Sequence, residues 1–416
     1  MAARVRPHLP ALAGALLGVA VLAWLGLLDF YWSDYDNEAA PAFKALAEGH
    51  LQQFLALSPS YGGSLVLRAP FAAIPSLWGG GEMAVFRAGS LPCMAAMAGL
   101  GVWLVARMRE SGQPLLARAT VLGLCAAGPI AERALEIGHP EELLGGVLCV
   151  AAVLAASGRR LTWAGVLLGL AIATKAWALV AVAPVVLALP GRPWRTLAVA
   201  AVVTASLLAP LAAAHPQQFA AKSGGMAGTG TIFQPWQAWW FLGETGHVVR
   251  GTNGDVKRHY RVPPAWIERV THPLIVLLGP GLALLLWLVR GRRRLARADA
   301  LLFLALLLHL RCVLDTWNFV YYSVPFLLAL VAWEALARRR PPVFSLLSTM
   351  VLWVVFQELP PRGVEADVIS LVYMAWAVPV AFALGARLYA PGIWARLVAR
   401  LPSGMAPVPA ANIGPA

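Results

Sequence analysis

Three carboxylates, Asp34, Asp36 and Glu38, stand within five residues in the stretch WSDYDNEAAPAFKALAEGH, directly after the first apolar run. A carboxylate beside hydrocarbon is costly, so it does chemistry, holds an ion, or lies in water. Fixed at a membrane surface, Asp34 or Asp36 can take a proton from an acceptor hydroxyl while the other substrate stays in lipid. Either can equally be a helix cap. A-P-A-F-K-A-L-A-E-G has apolar residues at helical spacing and ends at Gly49, which predicts an amphipathic helix over 38–48 lying on the membrane. Both aspartates then precede its N-terminus, where the helix dipole favours negative charge. Asp29 reads as a boundary residue of the apolar run.

Further along, GPIAERALEIGHPEELLGG gathers Arg133, His139, Glu141 and Glu142 in a short turn between apolar runs, without the spacing of a metal site. Lys175 sits in AGVLLGLAIATKAWALVAVAP with apolar residues on both sides. It either snorkels to the surface or meets an anion, such as a lipid-linked phosphate. Arg311, in LHLRCVLDTWNFVYYSVP, is a second phosphate candidate because its planar fork can bind two oxygens, although Asp315 can simply pair with it. Trp236, Trp239 and Trp240 belong to an interfacial aromatic belt or offer flat faces to a sugar or prenyl chain. The Gly/Thr/Ser-rich residues before them read as mobile or as a pocket wall, and VKRHYRVPPAWIERV as a basic amphipathic stretch on headgroups. No Walker A, G-x-S-x-G, H-E-x-x-H or dinucleotide fingerprint accompanies these features.

The elements that must position these groups are membrane helices. Of 416 residues, 59% are hydrophobic and 13% charged, with 17 Trp, which describes an all-α polytopic membrane protein. Apolar runs suggest about twelve spans: 11–30, 83–106, 116–131, 140–157, 161–174, 176–190, 195–214, 273–290, 299–312, 317–336, 342–357 and 368–388. The pair 161–190 reads as two short helices meeting at Lys175. Residues 64–78, broken by Pro70 and Pro75, suit a re-entrant or interfacial segment. The first run lacks a small-residue cleavage site and reads as a retained helix. The four cysteines stand singly, so neither a disulfide framework nor a zinc site is indicated.

Charge sets the orientation. With the N-terminus in the cytoplasm, the inner side carries +17 and the outer side −4 of the total +13. This is the positive-inside pattern, so the basic balance reports topology and contact with membrane lipids rather than nucleic acid. Both termini are then cytoplasmic, and the long segments 31–82 and 215–272 are external. The chain divides into a membrane module 1–214 containing the first external loop, the external loop 215–272, C-terminal helices 273–400 and a disordered Pro/Ala-rich tail 401–416. Chemistry is expected on the extracytoplasmic side of a plasma (inner) membrane.

Several stretches together resemble the GT-C class of membrane glycosyltransferases. They are an Asp soon after the first span, the A-x-x-A-L-A-x-G helix, the broken apolar segment, G-H-P-E-E, and A-G-x-x-L-G-L-A-x-x-T-K between short helices. The likeness is greatest to bacterial polyprenol-phosphate-mannose-dependent transferases, of the glycosyltransferase family 87 kind. It implies a GT-C-like fold and transfer of a sugar, mannose-like, from a polyprenyl-phosphate donor to a glycan or glycolipid acceptor. It also implies that Asp34, with Asp36 as second choice, is the base, and that Lys175, Arg311 and Arg133 hold the donor phosphate. His139, Glu141, Glu142, Trp236, Trp239, Tyr321 and Tyr322 would line the pocket. The resemblance implies no metal or other cofactor, although Asp34-Tyr35-Asp36 can also be read as a metal-binding D-x-D. A transporter or lipid flippase is the competing reading, because broken helices around Lys175 would suit a transport site. Against it stand the absence of an obvious two-half repeat and the short loop near Gly191. A non-catalytic assembly factor is a third.

Overall fold

The computed structural model describes residues 9–26, 34–59, 61–227, 233–250, 256–257, 260–291, 294–338 and 340–392. Asp29, part of the Gly-rich stretch and the tail 401–416 lie outside the described residues, so the expectations for them find no counterpart here.

Helix α1 (Leu9–Gly26) leads into four short helices, α2 (Asp34–Glu38), α3 (Ala40–Ala47), α4 (Leu51–Leu57) and α5 (Gly63–Ala72). The long α6 (Glu82–Glu110) follows. Helices α7 (Leu115–Ala127) and α8 (Pro129–Ile137) form one rod bent at Gly128, where Pro129 lacks the N–H that would continue the ladder. Then come α9 (Pro140–Ser157), α10 (Leu161–Thr174), a 3₁₀ turn Ala176–Ala181 and α11 (Val182–Ala188). Helices α12 (Pro193–Ala214) and α13 (Pro216–Ala227) precede a two-residue ribbon, β1 (Val249–Arg250) antiparallel to β2 (Val256–Lys257). The chain closes with α14 (Ala265–Arg290), α15 (Arg297–Leu314), α16 (Val324–Ala337), α17 (Val343–Trp353) and α18 (Ala366–Tyr389).

The expected apolar runs are largely helical where they are described, but Gly128 interrupts 116–131, Leu189–Pro190 lie beyond the helix of 176–190, and the run 317–336 becomes helical only from Val320. Among the described residues, eight helices are long and apolar enough to cross a membrane, and Leu9–Trp24, Leu161–Thr174 and Ala176–Ala188 are shorter apolar helices. The predicted break at Lys175 is present, since that residue is extended (φ −155°, ψ 133°) between α10 and the 3₁₀ turn. The single helix expected over 38–48 is instead α2 followed by α3.

Helices α9, α15 and α16 are the most deeply buried, whereas α12, α14 and α18 expose apolar side chains such as Val202, Leu277, Leu288 and Phe382, as lipid-facing helices do. Between helices in lipid, close packing substitutes for the hydrophobic effect, and small residues permit it. Gly165 and Gly169 do this for α10 on α12: a Cβ at either would lie 2.6 Å from a carbonyl oxygen, of Thr196 or Ala200. Thr204 Oγ1 then donates to Gly169 O at 3.0 Å. At one end of the bundle Arg294 donates to the carbonyls of Ala188 and Ser157, which caps the C-termini of α11 and α9 together. The charged cluster described next lies at the opposite end of α9.

Candidate active site

Asp34, Glu141, Glu142, Lys175 and Arg311 sit at the helix ends that the dipole favours, whereas Glu38 ends α2 and Arg68 lies within α5. Asp34 and Glu38 are one turn apart on α2, Glu141 and Glu142 open the first turn of α9, Lys175 follows the last turn of α10, and Arg311 lies in the last turn of α15. The chain crosses between α8 and α9 at Gly138, whose φ of +100° suits glycine. A Cβ there would stand 2.6 Å from Tyr35 Cβ, so the bare backbone lets His139 approach α2.

His139 is buried and bridges two carboxylates. Its Nε2 lies 2.9 Å from Asp34 Oδ2, and its Nδ1 lies 2.7 Å from Glu141 Oε1. Ionised carboxylates only accept, so both ring nitrogens must donate and the ring is an imidazolium. Burial opposes that charge, but Glu141 and Asp34 outweigh burial and Lys175, and push the His139 pKa up to about 9. A raised pKa stabilises the fold fully below the ordinary value of 6.5, and that contribution fades as pH rises towards 9. The thermal midpoint of the wild type should therefore fall between these values, and His139→Gln should flatten the fall. An equal slope in both proteins would show a neutral His139.

Glu141 is the hub. Lys175 Nζ lies 3.2 Å from its Oε1, and Arg68 Nη1 donates to its Oε2 at 3.4 Å. Arg68 also donates through Nε to Gly89 O at 2.8 Å and lies over the Phe43 ring. Lys175 Nζ stands 3.9 Å from the centroid of Tyr61. Beside this hub, Glu142 accepts from Trp177 Nε1 at 3.1 Å, with Lys175 at 4.0 Å and Arg311 at 3.8 Å. Arg311 is stacked between Trp177 and Tyr322, at 4.8 and 4.3 Å from their centroids. The Tyr321 ring lies 4.0 Å from that of His139. Burial raises the Glu38 carboxyl above its ordinary range, against the pull of Lys175 and His139.

The site residues expected from the sequence divide in two. Asp34, His139, Glu141, Glu142, Lys175, Arg311, Tyr321 and Tyr322 come together, although they span most of the chain. Asp36 is exposed on α2 and does not face His139. Arg133 is engaged in an i,i+3 ion pair with Glu136 on α8, and no described contact joins it to the cluster. Trp236 is a packing residue: it stacks on Phe356 at 4.5 Å and donates to Val355 O. Trp239 donates to Leu314 O and meets Trp266 edge-on. Asp315 accepts from the Trp317 backbone N–H, and Arg311 turns to Glu142. Arg261, on the stretch expected to lie on headgroups, instead forks onto Asp367, which also accepts from Trp240.

Sequence reading missed Arg68, Trp177 and Tyr61, and it named Glu38 among the clustered carboxylates without giving it a role. Arg68 had a signal: it is a lone cation inside an apolar segment, which is the same argument that singled out Lys175.

The arrangement joins one partly open carboxylate, Asp34, with a side-chain exposure of 32%, to two largely enclosed cations, Lys175 and Arg311, at 12% and 4%. A partly open acid can meet a hydroxyl, while enclosed cations act strongly on a phosphate in low dielectric. Fold and site thus define a polytopic membrane protein with an acid–base cluster at one end of its helix bundle. The sequence model of glycosyltransferase family 87 matches residues 63–314, more than half of the chain, which therefore belongs to that family and is a membrane glycosyltransferase. The match covers Arg68, His139, Glu141, Glu142, Lys175 and Arg311 and begins downstream of Asp34. No curated protein and no solved structure matches the chain.

Proposed function

We propose that this glycosyltransferase moves a sugar, mannose-like, from a polyprenyl-phosphate donor to a hydroxyl of a glycan or glycolipid, on the extracytoplasmic side of the plasma (inner) membrane. The observation that carries the reading is the chain Asp34–His139–Glu141–Lys175, which ties a partly open carboxylate to an enclosed cation through three polar contacts of 2.9, 2.7 and 3.2 Å. Asp34 takes the proton of the acceptor hydroxyl as its oxygen bonds to the anomeric carbon. The bond from that carbon to the phosphate oxygen breaks, and its electron pair stays on the phosphate. Lys175 and Arg311 stabilise this growing charge more than the ground state, which is what speeds transfer. His139 holds Asp34 through one oxygen and leaves the other for the acceptor. The enclosed cations favour a donor whose leaving group is a phosphate, and the positive-inside charge pattern favours the outer face.

The reaction needs no metal in this reading. Asp34, Glu38 and His139 do bring ligand atoms within 4.8 Å of one another, as a divalent ion requires. A metal would need an unprotonated His139 Nε2, whereas that nitrogen must donate to Asp34. The test is transfer from a radiolabelled polyprenyl-phosphate sugar by purified protein in nanodiscs, with and without EDTA. Transfer at an unchanged rate in chelator is expected. A rate lost to EDTA and restored by a divalent ion would make the Asp34–Glu38–His139 triad a metal site.

A further inference from the structure

Glu142 is fully buried, and yet its Oε2 has no hydrogen-bond partner. The carboxylate is about equally far from the two cations to which the donor phosphate is assigned, with Oε1 4.0 Å from Lys175 and Oε2 3.8 Å from Arg311. Both separations are ion-pair distances longer than a hydrogen bond, so the cations pair with this anion by charge without donating to it. What fixes Glu142 instead is Trp177, whose indole N–H donates to Oε1. That ring is set by α9 itself: Gly145, one turn on from Glu142, has no side chain, and a Cβ there would stand 3.1 Å from the Trp177 ring. The same ring carries the Arg311 guanidinium, 4.8 Å from its centroid. Arg311 therefore keeps its place by stacking on Trp177 and Tyr322, whatever anion it faces.

We propose that Glu142 is a resident competitor for the phosphate site, which offsets the charge of Lys175 and Arg311 when the site is empty and expels the spent lipid phosphate after transfer. The inference rests on the donor reading above. The donor is a phosphodiester with one negative charge. Breaking its bond to the sugar leaves a phosphomonoester, which carries nearly two at neutral pH, while the acceptor proton resides on Asp34. A fixed carboxylate in an enclosed site repels the product more than the donor. Glu142 thus lowers affinity for both lipids and lowers it more for the one that must leave.

The experiment measures binding of a short-chain polyprenyl monophosphate and of its mannosyl phosphodiester to the full chain in nanodiscs of neutral lipid. Wild type, Glu142→Gln and Glu142→Asp are compared at one pH. Glu142→Gln should tighten the monoester on the order of tenfold and the diester by about threefold. Its multiple-turnover rate should fall, limited by release of the monoester, while its single-turnover rate rises or at least does not fall, because the carboxylate no longer opposes the charge growing on the phosphate. A carboxylate needed only to hold the cations in place would weaken both ligands on removal, and that result overturns the proposal. So does an unchanged ratio of the two affinities. If Glu142→Gln does not accumulate, Glu142→Asp, which draws the charge back by one methylene, must shift the ratio in the same direction by less. Wild type that binds neither lipid defeats the donor reading and this inference with it, whereas wild type that binds both, with the ratio unmoved in the variants, defeats the inference alone.

Discussion

Asp34→Asn should abolish sugar transfer while the protein still folds and binds donor. General-base assistance contributes about 10²–10⁴-fold, so a drop of that size in kcat with little change in donor KM is the expected signature. The amide keeps an oxygen that can accept from His139 Nε2 and has nearly the same shape, so the bridge survives while the basic oxygen is lost. Asp36→Asn is the internal control. Asp36 is exposed and turned from His139, and transfer by this variant should stay within about twofold of wild type, as surface substitutions usually leave a fold undisturbed. If Asp36→Asn loses transfer and Asp34→Asn keeps it, the base is two residues downstream and α2 must rotate when the acceptor binds.

Lys175→Met is expected to have the next largest effect. The substitution keeps the bulk of the aliphatic stem and removes the ammonium that lies 3.2 Å from the Glu141 hub. Loss of a charge that acts on the leaving group lowers kcat by about 10²–10³-fold, and donor KM rises because the ground-state phosphate loses the same partner. Stability should suffer less. Breaking a fully buried ion pair costs about 3–5 kcal/mol, but Glu141 retains His139 and Arg68, which hold both of its oxygens. The check is kcat, KM and thermal midpoint on the same preparation. A kcat within about threefold of wild type would remove Lys175 from the phosphate site and leave Arg311 as its main cation.

How much of this was legible in the sequence follows from the physics of each signal. Apolar runs are strong and local, so the helices were readable, including the interruption at Lys175. Intramembrane charges are rare enough to stand out, which is why Lys175, Arg311 and the G-H-P-E-E turn were found. Pairing was not readable. That Arg311 faces Glu142 rather than the nearby Asp315 depends on how α15 is rotated against α9, and a single sequence carries no record of rotation. The part played by Trp236 and Trp239 stayed open for a related reason. Tryptophan serves interface, stacking and packing alike, and only the surroundings choose among them. Asp34 and Asp36 were indistinguishable until α2 was seen to be helical, because one turn of helix sends residues two apart to different sides.

The site is also distributed in time. Chains enter the membrane as they are made, N-terminal elements first. By the end of α12 the nascent protein already holds Asp34, Arg68, His139, Glu141, Glu142, Lys175 and Trp177. Glu141 can meet Arg68, His139 and Lys175 at that stage, so the first half of the cluster can close on itself. Glu142 has Trp177 and a distant Lys175, but Arg311 is still unmade and must arrive on α15 after the long segment 215–272 has been passed. Joining the two halves of the bundle therefore brings Arg311 to a buried carboxylate that is already in place, so the ion pair between α9 and α15 closes only after both halves have been made.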